Sequence, residues 1–196
     1  MRTQATRDLL HQMEREAIVL LENNNILPLG TNISSIALIG PQSDRVTVGD
    51  LSAPHQASLL SLHQFGDYVF FNASNNGITP LQGFTEFLAD TSVRINFAEG
   101  CKLWSNDESG FPEAIAAAKE SDVAIVMVGT WSLDQTLLWT PGTHATTGEH
   151  VDLSDLSLVG AQFPLVQAIQ ATGTPTIVVF VSGKPVTNPW IQESKS

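Results

Sequence analysis

Val123-Ala124-Ile125-Val126-Met127-Val128-Gly129 carries no charged or hydrogen-bonding side chain, and it lies between Asp122 and Thr130-Trp131. An apolar run this short reads as a strand, and apolar residues at both alternating positions require cover on two faces. Working outward, residues 35–40 (SIALIG) and 176–183 (TIVVFVSG) repeat the pattern. Residues 92–97 add a weaker strand in which Val93, Ile95 and Phe97 alternate. Helices fall between these runs. Thr79-Pro80 is a capping residue followed by proline at the first helical position, which predicts a helix to about Leu88. Pro112 opens another to Lys119, with Ala114, Ile115 and Ala118 inward. A further helix over 159–171 buries Leu165, Val166 and Ile169.

Strands alternating with helices predict a three-layer α/β/α sandwich around a mainly parallel open sheet, of the flavodoxin-like kind. Near the N-terminus, Leu9, Met13, Ala17 and Leu20 share one helical face, so a helix is expected up to Asn23-Asn24-Asn25. The expected organisation is a single domain over 1–196, with residues 1–30 as an N-terminal helix and linker. Gly40, Gly129 and Gly183 close three of the strands. Two readings stand: glycine admits a ligand to the backbone beyond the strand ends, or it permits a sharp exit from the strand.

The 196 residues are 42% hydrophobic and 15% charged, which suits a globular domain, and the formal net charge is −11. A nucleic-acid binder needs the opposite balance, so nucleic acid is excluded as a partner. No apolar run reaches the ~18 residues that cross a membrane. The single cysteine, Cys101, excludes an internal disulfide and a cysteine-rich zinc site, and reads as an inert buried thiol. The histidines (His11, His55, His63, His144 and His150) show no paired metal spacing, so no metal is expected. The turn Gly40-Pro41-Gln42-Ser43 lacks the glycine triplet that cradles a pyrophosphate, and Pro41 removes a backbone donor. No nucleotide or other cofactor is expected. The first residues are charged with no apolar stretch behind them, so no signal peptide is read. Asn32-Ile33-Ser34 and Asn72-Ala73-Ser74 are glycosylation sequons, which support secretion weakly, and localisation is left open.

The chemically suggestive stretch is the polar loop after Gly129. It holds Trp131 and Trp139, aromatic rings able to stack on sugars, and Glu149 within Thr146-Thr147-Gly148-Glu149-His150. A loop carboxyl at a crevice can serve as a general acid if its surroundings raise its pKa. Spacing alone favours a solvated surface acid and tryptophans that anchor a loop.

Further blocks, taken together and in order, resemble the C-terminal α/β sandwich domain of family 3 glycoside hydrolases, in particular fungal-type β-glucosidase-like members. They are Glu16-Ala17-Ile18-Val19-Leu20-Leu21 with Ile26-Leu27-Pro28-Leu29, Ile36-Ala37-Leu38-Ile39-Gly40-Pro41, and Gly77-Ile78-Thr79-Pro80-Leu81. Phe97-Ala98-Glu99-Gly100-Cys101, Val128-Gly129-Thr130-Trp131 and Ser182-Gly183-Lys184-Pro185-Val186 complete the series. Residues 45–64 stand outside the pattern and read as a non-family insertion. The resemblance implies that a glutamate ahead of an Asp-x-x-x-Leu-x-Leu stretch is the general acid/base, and Glu149 before Asp152–Leu158 matches. His150 and Leu153 stand where the family often has glycine and arginine.

The resemblance further implies a retaining β-glucosidase-type hydrolase that acts on β-glucosides or oligosaccharides, with Trp131 and Trp139 at the mouth of the cleft. Its nucleophile would be an aspartate on a (β/α)8 barrel that these residues lack, so the lone chain is expected to be inactive. Asp134, Asp152 and Asp155 share the loop, and none is singled out as nucleophile. Full-length relatives are expected to be secreted, and to continue past Ser196 with more sheet and a final helix. A rival reading is a non-catalytic remnant that acts as an interaction or carbohydrate-binding module. A flavodoxin-like nucleotide binder is a third, disfavoured by the turn after the first strand.

Overall fold

The computed structural model describes residues 3–48, 51–54, 78–131, 146–147 and 153–187. The chain divides into two compact units, Met1–Thr31 and Asn32–Ser196. In the first, helix α1 spans Gln4–Glu16, and the Thr3 side chain caps it by accepting from the Thr6 amide at 3.2 Å. The helix stops at its cap residue Ala17, short of the asparagine run where the apolar spacing ends. None of its residues is buried, so its apolar stripe adds no packing energy and local propensity decides its length. The β-branched pair Ile18-Val19 lowers that propensity where the helix ends.

The second unit is built on four parallel strands: β1 (Ser35–Ile39), β4 (Arg94–Ala98), β5 (Val123–Gly129) and β6 (Thr176–Val181). Their order across the sheet is β4-β1-β5-β6. The chain thus winds outward from β1 in both directions, and β1 and β5 flank the switch point where open α/β sheets form a crevice. Strand β2 (Arg45–Val48) pairs antiparallel with β3 (Leu51–Pro54) as a separate hairpin within the stretch that reads as an insertion. Gly49-Asp50 between the short β-type runs ending at Val48 and starting at Leu51 is a dipeptide of the kind that signals a hairpin in a sequence.

Helix α2 (Pro80–Phe87) begins as its sequence predicts. Thr79 and Gln82 form a reciprocal capping box, with proline in the first turn. Helices α3 (Phe111–Lys119) and α4 (Gln162–Gln170) pack together and against the sheet. Their core joins Ala114, Ala118, Leu165 and Ile169 to Ala37, Ile39, Ala124, Val126 and Val128. The alternate residues Ile36, Leu38, Val123, Ile125 and Met127 are buried too, so both faces of β1 and β5 are covered, as in an α/β sandwich. Strand β4 departs from the expected pattern. Among the described residues it lies at the edge of the sheet, and Arg94 and Phe97 are exposed.

The strand-end glycines have a backbone explanation. A Cβ on Gly40 would lie 2.2 Å from the Met127 carbonyl oxygen, and one on Gly129 would lie 1.9 Å from that of Val181. These hydrogens make room for the neighbouring strand. Gly129→Ala is therefore expected to lower stability by about 1–3 kcal/mol through overpacking, measured by urea unfolding.

The opposite ends of β1 and β5 are joined by one carboxylate. Asp122 Oδ2 accepts from the Ser34 amide (2.7 Å) and hydroxyl (2.8 Å), and from the Ser35 amide (2.9 Å) and hydroxyl (3.1 Å). The Ser34 amide, then the Ser34 and Ser35 hydroxyls, hold this carboxyl at about 2 instead of 3.8. A carboxyl lowered in the folded state stabilises above its unfolded pKa and ceases to as pH falls through the folded one. Asp122→Asn is expected to reduce the urea midpoint at pH 7, with the gap to wild type closing between pH ~4 and ~2. A gap that stays constant over that window would count against this account.

Candidate functional site

Beyond the strand C-termini, β1 leads into Gly40–Arg45, β4 into Glu99–Trp104, β5 into Thr130-Trp131, and β6 into Ser182–Lys184. Buried backbone polar groups in this region have to be paired, and side chains supply many of the pairs. Gln42, 1% exposed, donates from Nε2 to the Thr130 carbonyl at 3.0 Å. Ser43 Oγ donates to the Ile39 carbonyl at 2.7 Å. Thr130 Oγ1 lies 3.0 Å from Ser182 Oγ. Because Ser182 Oγ gives its one proton to the Lys184 carbonyl at 2.8 Å, Thr130 is the donor in that contact.

The densest arrangement surrounds Gln162, which is fully buried on the first turn of α4. Its Oε1 accepts from the Gly129 amide at 2.8 Å. Its Nε2 donates to the carbonyls of Leu103 (2.8 Å), Gly129 (3.0 Å) and Val159 (3.2 Å). Two protons serve three acceptors, so one is shared. The amide ties the end of β5 to the loop after β4 and to its own helix entry.

Trp131, expected at the cleft mouth, is 5% exposed. It stacks on Trp104 with ring centroids 4.6 Å apart and planes inclined by 26°, beside Leu103. Its amide donates to Thr146 Oγ1 at 2.6 Å, and its carbonyl accepts from the Thr146 amide at 2.8 Å and hydroxyl at 3.0 Å. These bonds join Trp131 directly to Thr146. Trp139 and Glu149 lie outside the described residues, as do Asp134 and Asp152. Asp155 is exposed, and its Oδ1 accepts from the Ser157 amide and hydroxyl. Those bonds, first the hydroxyl, hold its carboxyl low, with Lys184 adding to the effect.

Burial pulls the Arg45 guanidinium down to about 10, against Glu99, which raises it. Lys184 Nζ is buried with no hydrogen-bond partner among the described residues. No group of three metal-binding side chains occurs among the described residues, and none of their helices is long and apolar enough to cross a membrane.

Cys101 is buried, and desolvation, with Glu99 adding, pushes its thiol up to about 12 despite Lys102. A thiol reagent at pH 8 should therefore leave the folded chain unmodified and react fully once urea unfolds it. Rapid labelling of the native chain would contradict this burial.

Sequence reasoning overlooked Gln42, Thr146 and Gln162. Gln162 alone had a legible signal: it lies on the same helical stripe as Leu165, Val166 and Ile169, where a polar side chain needs internal partners.

The Glycosyl hydrolase family 3 C-terminal domain profile matches residues 18–196. A β-xylosidase of Formosa agariphila is 34% identical over 98% of this chain and 24% of its own length. A lysosomal β-glucosidase of Dictyostelium discoideum is 28% identical over 87% of this chain and 19% of its own. A solved GH3 exo-β-xylosidase (XlnD), bound to a xylobiose aziridine activity-based probe, superposes with a TM-score of 0.66. It is 27% identical over 96% of this chain and 20% of that one. The chain thus spans about a quarter or less of the length of these proteins.

Proposed function

We propose, for a chain that belongs to glycosyl hydrolase family 3 as its C-terminal domain, that it supplies Glu149 as general acid/base to a retaining β-glycosidase. The observation that carries this reading is the position of Glu149 in the chain. It precedes the Asp152–Leu158 stretch that marks the family's proton donor, and follows by three residues Thr146, which is hydrogen-bonded to Trp131 at the exit of β5. Three residues span at most about 11 Å, which bounds how far Glu149 can lie from Thr146.

In the proposed mechanism the carboxyl group protonates the glycosidic oxygen as the leaving group departs, then deprotonates the water that releases the glycosyl-enzyme. The nucleophile is an aspartate of a (β/α)8 barrel partnering this domain, with its carboxyl group about 5–5.5 Å from that of Glu149. Trp139 lines the cleft mouth. Trp131, stacked on Trp104, contributes there as a floor and not as a stacking platform.

The sugar removed is a terminal β-D-glucosyl residue. A β-xyloside is the second reading, favoured by the names of the Formosa relative and the XlnD structure. The chain joined to a family barrel should cleave aryl β-glucosides faster than aryl β-xylosides; the reverse preference would establish the second reading. Glu149→Gln is expected to lower turnover by about 10²–10⁴-fold on leaving groups that need protonation. Unchanged turnover would remove Glu149 from the mechanism.

A further inference from the structure

We propose that Gln162, acting with Thr146, is a positioning residue for the proton-donor loop; the proposal rests on the assignment of Glu149 above. Gln162 uses both ends of its amide to fix Gly129, the last residue of β5 and the point from which the loop departs. It binds the Leu103 carbonyl with the same nitrogen, so the exit of β5 is held against the backbone that presents Trp104. Trp104 stacks on Trp131, and Trp131 exchanges hydrogen bonds with Thr146 in both directions. These contacts link a buried helix residue to the third residue before Glu149.

The arrangement goes beyond packing. An apolar side chain of the same volume would fill the space under α4 equally well. It would leave the Gly129 amide and the Leu103 carbonyl without these partners in a buried setting, and the chain would open there to find others. Gln162 therefore helps to fix where the loop leaves the sheet, together with the Val181 carbonyl and Gln42 that hold Thr130. A carboxyl that must meet a glycosidic oxygen at hydrogen-bonding distance loses effect when its support shifts by an ångström.

The test compares wild type with Gln162→Met, which keeps the volume and removes all of these hydrogen bonds. In the chain itself, amide hydrogen exchange at Gly129 and Thr146 is expected to accelerate about tenfold to a hundredfold, while Ile36 and Val126 keep their protection. Equal exchange in both chains overturns the brace, and so does acceleration that is uniform across the sheet. If the methionine variant does not fold, Thr146→Val tests the other tie, with accelerated exchange expected at Trp131 and none overturning it.

With the chain joined to a family barrel, Gln162→Met should lower kcat about tenfold with KM unchanged. The fall in kcat/KM should appear for alkyl or disaccharide leaving groups and be absent for a dinitrophenyl glycoside, whose departure needs no proton. A loss shared equally by both substrates, or no loss, overturns the positioning role. Full activity in Glu149→Gln sinks the proton-donor assignment instead. The exchange comparison makes no use of Glu149, and still decides whether Gln162 braces the root of the loop.

Discussion

A strand covered on both faces and paired on both edges has no access to water, and every backbone N–H and C=O in it requires a partner. Strand β5 is in that position, with all its residues buried between β1 and β6. Parallel ladders satisfy its middle. At its two ends side chains add to the ladder, joining β1 to β5 at one and holding the exit of β5 at the other. Much of the molecule's polar architecture follows from those two ends.

At the N-terminal end, Asp122 collects the amides and hydroxyls of Ser34 and Ser35, so that one charged oxygen aligns β1 with β5. At the C-terminal end the partners are neutral amides, Gln162 and Gln42, which hold Gly129 and Thr130. The difference fits the two locations. The carboxylate lies where solvent reaches it, and an amide suits a buried site because it donates and accepts without the cost of burying a charge. The glycines at this end serve the same closure, since Gly40 and Gly129 let neighbouring carbonyls approach within the space a Cβ would fill.

A well-held end of β5 is a suitable base for the loop proposed to carry the proton donor. Loops carry reactive groups because they tolerate variation, and they are accurate only as far as their roots are rigid. Here the root is bound by Gln162, by the Trp104–Trp131 stack and by Thr146, all at the switch-point side of the sheet. The acidic composition and the inert thiol add nothing to that chemistry. The proposed activity depends on a second carboxyl group from a barrel domain and on this rigid support.

The amino-acid sequence by itself determined the alternation of strands and helices and the capped start of α2. It determined the apolar buried face of α4 at Leu165, Val166 and Ile169, and that of α3 in part: Ala114 and Ala118 are buried as read, Ile115 is half-buried, and Phe111 and Ala117 join them. These are local matters: hydrophobic period, proline and capping chemistry act within a few positions of one another. Family membership was legible for a related reason, since short blocks in a fixed order survive where packing constrains them. Tertiary structure alone decided the exposure of Phe97, the burial of Trp131 and the ties made by Gln42, Thr146 and Gln162. Those ties join residues as far apart as Gln42 and Thr130, or Leu103 and Gln162, through hydrogen bonds with no sequence period. Which polar group finds which partner depends on where strand ends meet in space, and that is set only once the sheet has formed.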